Sequence, residues 1–102
     1  MQAISNYHPP LIEGPGFGYD FTQLGELIYE IDESAAYEED EAKLLKKGET
    51  YTLIQATGCS CWDGDWEGWT DLTPPELKQL AVTWLKGYGA EKVMGAYINE
   101  NL

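Results

Sequence analysis

Arginine is absent from this 102-residue chain, histidine occurs once, and the first lysine is Lys43. Ten of the eighteen carboxylates precede that lysine, and eight of them lie between Glu26 and Glu41, so the N-terminal half carries a negative field with no internal cation to neutralise it. A chain of net charge −12 repels nucleic acid and anionic membrane and meets basic surfaces faster. Direct binding to nucleic acid or to a membrane is therefore not expected. Long apolar runs are missing too, and the start is not basic-then-apolar, so neither a transmembrane span nor a secretory signal is predicted. Cysteine is scarce: Cys59 and Cys61 stand two apart, a spacing at which an intrachain bridge would close a tiny ring. Reduced thiols and a cytoplasmic location follow as expectations.

What is present is ample apolar material. A hydrophobic content of 43 % with thirteen aromatic residues offsets chain entropy and predicts one folded domain. The first nineteen residues, with Pro9, Pro10, Pro15, Gly14, Gly16 and Gly18, lack a trustworthy period and read as an extended N-terminal arm, leaving 20–102 as a single α+β domain. Tyr7, Leu11, Ile12, Phe17 and Tyr19 give the arm apolar groups with which to lie across the domain or a partner. From Asp20, a candidate N-cap, the spacing of Phe21, Leu24, Leu27, Ile28, Ile31 and Ala35 predicts a helix, with Glu26, Glu30 and Glu33 on its opposite face. Leu27 to Ile31 also alternates in a way that suits a strand.

The order of charges from Glu38, Glu39, Asp40 and Glu41 to Lys43, Lys46 and Lys47 suits a helix macrodipole, with Ala42, Leu44 and Leu45 inward and Gly48 as the stop. The acidic region is thus expected to be helical. Tyr51 to Ala56 is the clearest strand, and Trp62 to Thr70 fits the turn and return strand of a β-hairpin. Thr73-Pro74-Pro75-Glu76 is a capping box with proline at the first helical position. Leu77, Leu80, Ala81, Trp84 and Leu85 follow as a buried helix face. After Gly87-Tyr88-Gly89, the residues Val93, Met94, Tyr97, Ile98 and Leu102 predict a second helix and hence a C-terminal helical hairpin.

The segment Gly58 to Trp69 concentrates both thiols, Trp62, Trp66 and Trp69, and the acids Asp63, Asp65 and Glu67. Two thiolates fall short of a closed zinc site. Asp63, Asp65, Glu67 and Gly68 match the first half of a calcium loop, but Pro74 stands where the bidentate glutamate is needed. No metal and no cofactor are therefore predicted. No nucleophile–base pair or phosphate-cradling loop is visible, so an enzyme is not expected. Trp66 and Trp69 are candidate interface anchors if exposed and core residues if not.

A strand ending in G-C-S-C-W before an acidic, glycine-containing turn, here Tyr51 to Gly64, resembles a loose group of small uncharacterised proteins from tailed phages and actinobacteria. The resemblance implies a bacterial host cytosol and a phage accessory role, and it transfers no catalytic residue. Together with the charge it leads to the expectation of an inhibitor that blocks a bacterial nucleic-acid-binding protein by presenting carboxylates in place of phosphates. Its contact residues would be Glu26, Glu30, Glu33, Glu38, Glu39, Asp40, Glu41, Asp63, Asp65, Trp66, Glu67 and Trp69. The alternative is an assembly protein, possible in a virion, that docks through its arm and its hairpin tryptophans.

Overall fold

The computed structural model describes residues 1–14, 18–59 and 64–102. Its centre is the strand that the sequence marks most clearly, Thr50–Cys59, in which six consecutive residues, Tyr51 to Ala56, are buried. A strand buried on both sides needs a layer on each face. In chain order the strands are β1 (Gln2–Tyr7), β2 (Leu11–Ile12), β3 (Gly18–Tyr19), β4 (Glu26–Asp32), β5 (Glu38–Lys47), β6 (Thr50–Cys59) and β7 (Trp66–Leu72). Helices α1 (Pro74–Thr83) and α2 (Gly95–Asn101) follow, joined by a wider-turned helical segment, Tyr88–Met94. Five strands form one antiparallel sheet in the order β1-β7-β6-β5-β4, and β2 pairs with β3 apart from it.

One face of the sheet carries Ala42, Leu44, Tyr51, Leu53 and Leu72 against Leu77, Leu80, Met94 and Ile98 of the helical layer. The other carries Leu45, Ile54, Ala56 and Trp66, covered by Ile4, Tyr7, Phe21 and Leu24. The result is an α+β domain with the predicted C-terminal helical hairpin. The capping box is complete: Thr73 Oγ1 accepts from the Glu76 amide, and the Glu76 carboxylate accepts from the Thr73 amide at 2.9 Å. Within the hairpin, Tyr97 stacks on Tyr29 of β4 with ring centroids 3.9 Å apart.

The acidic region is not helical. Asp20 accepts from the amide and hydroxyl of Thr22 at 2.9 and 2.6 Å, but it is not the N-cap of a helix: one 3-10 turn, Thr22–Leu24, follows, and its N-cap position is held by Phe21 without a side-chain cap bond. Gly25 then takes φ +129°, and a Cβ there would stand 2.7 Å from the Lys46 carbonyl oxygen. That glycine ends the turn and lets β4 run close against β5. The second predicted helix is β5, paired to β6 along its whole length from Glu38↔Cys59 to Lys47↔Thr50. Gly48, predicted as a helix stop, is the first residue of the two-residue β5–β6 turn, where its φ of +63° is what a primed hairpin turn requires.

The N-terminal residues also differ from a separate arm. β1 is an edge strand of the main sheet, with Gln2↔Thr70, Ala3↔Trp69, Ile4↔Gly68 and Tyr7↔Trp66 in register with β7. The single predicted hairpin is therefore part of a larger sheet. Its β6 and β7 arms are as expected, and the intervening 60–63 lie outside the described residues. Cys59 is disulfide-bonded, against the expectation of reduced thiols; Cys61 lies outside the described residues. A disulfide is more at home in an oxidising compartment than a reducing one, so the cysteines no longer argue for the cytoplasm. Among the described residues no helix is long and apolar enough to cross a membrane.

Candidate functional site

The antiparallel register of β4 and β5 decides where the acids go. Glu30 lies opposite Lys43, and Asp32 opposite Glu41. Because side chains alternate along β5, Glu39, Glu41, Lys43 and Leu45 share the sheet face away from the helices. There the Lys43 ammonium meets the Glu30 carboxylate at 2.6 Å, with the lysine side chain only 13 % exposed. It also lies 5.1 Å from the Phe21 ring centroid and 5.6 Å from that of Trp66, within range for cation–π attraction. This lysine is fully committed.

Next to it, Asp32, Glu39 and Glu41 each offer one oxygen within 4.8 Å of the others. Burial pushes the Glu41 carboxyl up to about 8, reinforced by its hydrogen bond to Glu39 and by the charges of Glu39 and Asp32, with Lys43 opposing. At neutral pH Glu41 therefore holds its proton. Such a group can donate a hydrogen bond, or release the proton when a cation arrives. Three carboxylate oxygens supply only part of the coordination of a hard cation, which takes about 6–8.

Beside the cluster lies a cavity of 540 Å³ between the N-terminal layer and the β4–β5 hairpin. Leu45 and the buried Trp66 form its floor, Ile12, Tyr19, Phe21 and Leu27 its apolar walls, and Glu30, Glu41 and Lys43 its polar side. Trp66 meets Phe21 edge to face at 5.1 Å. The size falls in the range of small-molecule sites, about 300–1,000 Å³.

The predicted contact residues scatter. Glu26 and Glu30 on β4, Glu33 in the turn after it and Glu38 at the start of β5 are exposed, on strands and turn rather than on one helix face. Glu39 and Glu41 are half-buried in the cluster. Asp40 points the opposite way and accepts from the Gly89 and Ala90 amides at 2.8 and 3.2 Å, so it fixes the start of the helical segment instead of facing a partner. Trp66 is 3 % exposed, a core residue and no surface anchor. Trp69 is half-buried, edge to face with Trp84 at 6.5 Å, and its indole N–H finds no acceptor among the described residues. Glu67 is half-buried, accepting from Gln55 Nε2 at 3.3 Å and lying 3.9 Å from the Lys86 ammonium. Asp65 is half-buried, and Asp63 lies outside the described residues.

Sequence reasoning passed over Asp32, Lys43 and the apolar walls of the cavity. The alternation of Leu27, Tyr29 and Ile31 was the available signal for Asp32, since a strand there puts Glu30 and Asp32 on one face. Compared with protein-family models, curated proteins and solved structures, the chain matches none.

Proposed function

We propose that the protein is a binding module, without catalysis, that engages a basic surface of a partner protein through the acidic β4 edge. One observation carries this reading: the outer strand of the sheet, the turn after it and the first residue of β5 expose five acids, Glu26, Glu30, Asp32, Glu33 and Glu38, of which only Glu30 pairs with a lysine among the described residues. A charged edge repels a second copy of itself and so disfavours edge-to-edge self-pairing. A cationic partner meets no such repulsion and gains encounter rate.

Phosphate mimicry fits this edge as a strand. Glu30 and Asp32, two residues apart on one face, are spaced by about 6.8 Å at a rise of about 3.4 Å per residue. That is close to two phosphate steps along one strand of a duplex, about 3.4 Å each. The partner class this favours is a nucleic-acid-binding protein, in the reading where the encounter occurs in a bacterial cytoplasm. The test is capture from bacterial lysate on the immobilised protein, eluted with rising salt and then with a duplex oligonucleotide. Release by both, and loss of capture in a Glu26/Glu33/Glu38→Gln variant of unchanged circular dichroism, is the expected result. Capture indifferent to salt, or unchanged in the variant, overturns it.

A further inference from the structure

The cavity behind the acidic hairpin has a chemistry distinct from that of the exposed edge. Its apolar walls include Ile12, Tyr19 and Leu27, large side chains that remain 50, 54 and 46 % exposed while lining one concave space. Three half-wet apolar side chains around a buried tryptophan floor stand to lose water to an apolar guest. The charged lining is unequal: among the described residues, Asp20, Glu26, Glu30 and Glu41 face a single cation, Lys43. That lysine is already paired with Glu30 at 2.6 Å, so the lining keeps surplus negative charge.

We propose that this cavity binds a small amphipathic amine, with the apolar body on Trp66 and Leu45 and the ammonium at the Glu41 carboxyl. The alternatives fail on charge. An anionic ligand would have to compete with Glu30 for Lys43 and would face the remaining acids unpaired. A neutral ligand would bury apolar surface but leave the surplus acids of the lining without a counter-ion. An ammonium supplies one: the Glu41 proton passes to solvent, and the carboxylate left behind pairs with the ligand. The charged groups that bear on this exchange are Glu26, Glu30 and Asp32 from β4, Glu39 and Lys43 from β5, and Asp20 from the N-terminal layer. The inference does not depend on the partner reading: Glu26 and Glu30 border both the cavity and the edge, but Leu27 and Glu41 line the cavity without being edge acids, and Glu33 and Glu38 are edge acids outside the cavity, so the two can be altered separately.

The experiment is a fluorescence titration of the full chain, at physiological ionic strength, with three dansyl probes that differ at one end. Dansylcadaverine carries an ammonium, dansylbutylamide is neutral, and dansyl-aminohexanoate carries a carboxylate. The amine should saturate one site per chain with blue-shifted emission, about tenfold tighter than the other two, a ratio equal to about 1.4 kcal/mol. Leu27→Ala, at a half-exposed wall where folding is not at stake, should weaken both the amine and the neutral probe. Glu41→Gln should abolish the preference for the amine while leaving the neutral probe unaffected. Calorimetry of the amine in two buffers of different ionisation enthalpy should show proton release at neutral pH. Equal binding of all three probes, absence of binding, or an amine preference that survives Glu41→Gln overturns the proposal. So does a Phe-Lys peptide that binds where dansylcadaverine does not, which would give the cavity to a partner's side chain.

Discussion

Replacing Glu41 by glutamine should stabilise the protein, and more so at higher pH. The Glu41 carboxyl is pushed from 4.5 to about 8 in the fold, first by burial and then by Glu39 and Asp32, against the pull of Lys43. Since the folded-state value lies above the unfolded one, the folded chain holds this proton more tightly. Below about 4.5 both states are protonated and the group costs nothing. Between about 4.5 and 8 the unfolded state alone ionises and stability declines with pH; above about 8 the loss is complete. Taken whole, a shift of that size corresponds to roughly 5 kcal/mol at about 1.36 kcal/mol per unit. Glu41 keeps some contact with solvent, so screening reduces the expected loss to about 1–2 kcal/mol. Glutamine matches the protonated carboxyl in shape and can still donate to Glu39. In a domain of this length, that gain should raise the melting temperature by about 4–16 °C at pH 9, taking about 4–8 °C per kcal/mol. At pH 5 the gain should shrink to a few tenths of a kcal/mol, because little of the linkage has yet been lost. Urea and thermal unfolding of both proteins at the two pH values make the comparison. An equal difference at pH 5 and pH 9, or a variant less stable than its parent at pH 9, would refute the buried protonated carboxyl.

Three further substitutions test the packing around the site. Trp66→Ala should cost about 3–5 kcal/mol in urea unfolding, the range for removing a large aromatic from a core; an unchanged midpoint would place the indole at the surface. Gly68→Ala should cost about 3 kcal/mol or more, because the added Cβ would stand 2.1 Å from the Leu53 carbonyl oxygen and 2.8 Å from Ile54 Cα, both backbone. Soluble, equally stable Gly68→Ala protein would contradict the β6–β7 approach. Asp40→Ala should cost about 1.5–3 kcal/mol by releasing two amides from a charged acceptor, while capture of a basic partner is retained; loss of capture with full stability would return Asp40 to the binding surface.

Legibility in the sequence followed how local each signal was. The Thr73 capping box, the β6 strand and the apolar stripe of α1 are set by neighbours within a few residues, and each appears in the structure as the sequence implies. The acidic segment misleads because β5 is buried on both faces. Leu44 and Leu45 are adjacent, yet one packs under the helices and the other under the N-terminal layer, so the expected alternation of a strand is blurred into something a helix also fits. The lysines that suited the end of a helix dipole instead lie opposite acids of β4, Lys46 across from Glu26 and Lys43 across from Glu30, while Glu38 to Glu41 pair with uncharged residues of β6. The cavity was illegible for a different reason. Its lining comes from residues as far apart as Ile12, Phe21, Leu45 and Trp66, and no window of sequence holds more than part of it.

The site itself depends on one extra residue. Between Leu27↔Leu45 and Tyr29↔Leu44 the register slips, leaving Ile28 unpaired as a β-bulge. Continued without the slip, the pairing would set Tyr29 opposite Lys43 and Glu30 opposite Ala42, which turns Glu30 toward the helical core and Tyr29 away from it. A carboxylate against Ala42 and Leu44 would be buried without a cation, at a cost of several kcal/mol, and the stack of Tyr29 on Tyr97 would be lost. The bulge exchanges the two faces from Tyr29 onward. Tyr29 and Ile31 then pack against the helical layer, while Glu30 and Asp32 face Lys43 and Glu41. Bulges re-aim side chains at functional edges, and here the inserted Ile28 is what brings three carboxylates together beside an apolar cavity, 39 % exposed itself and packed in neither core.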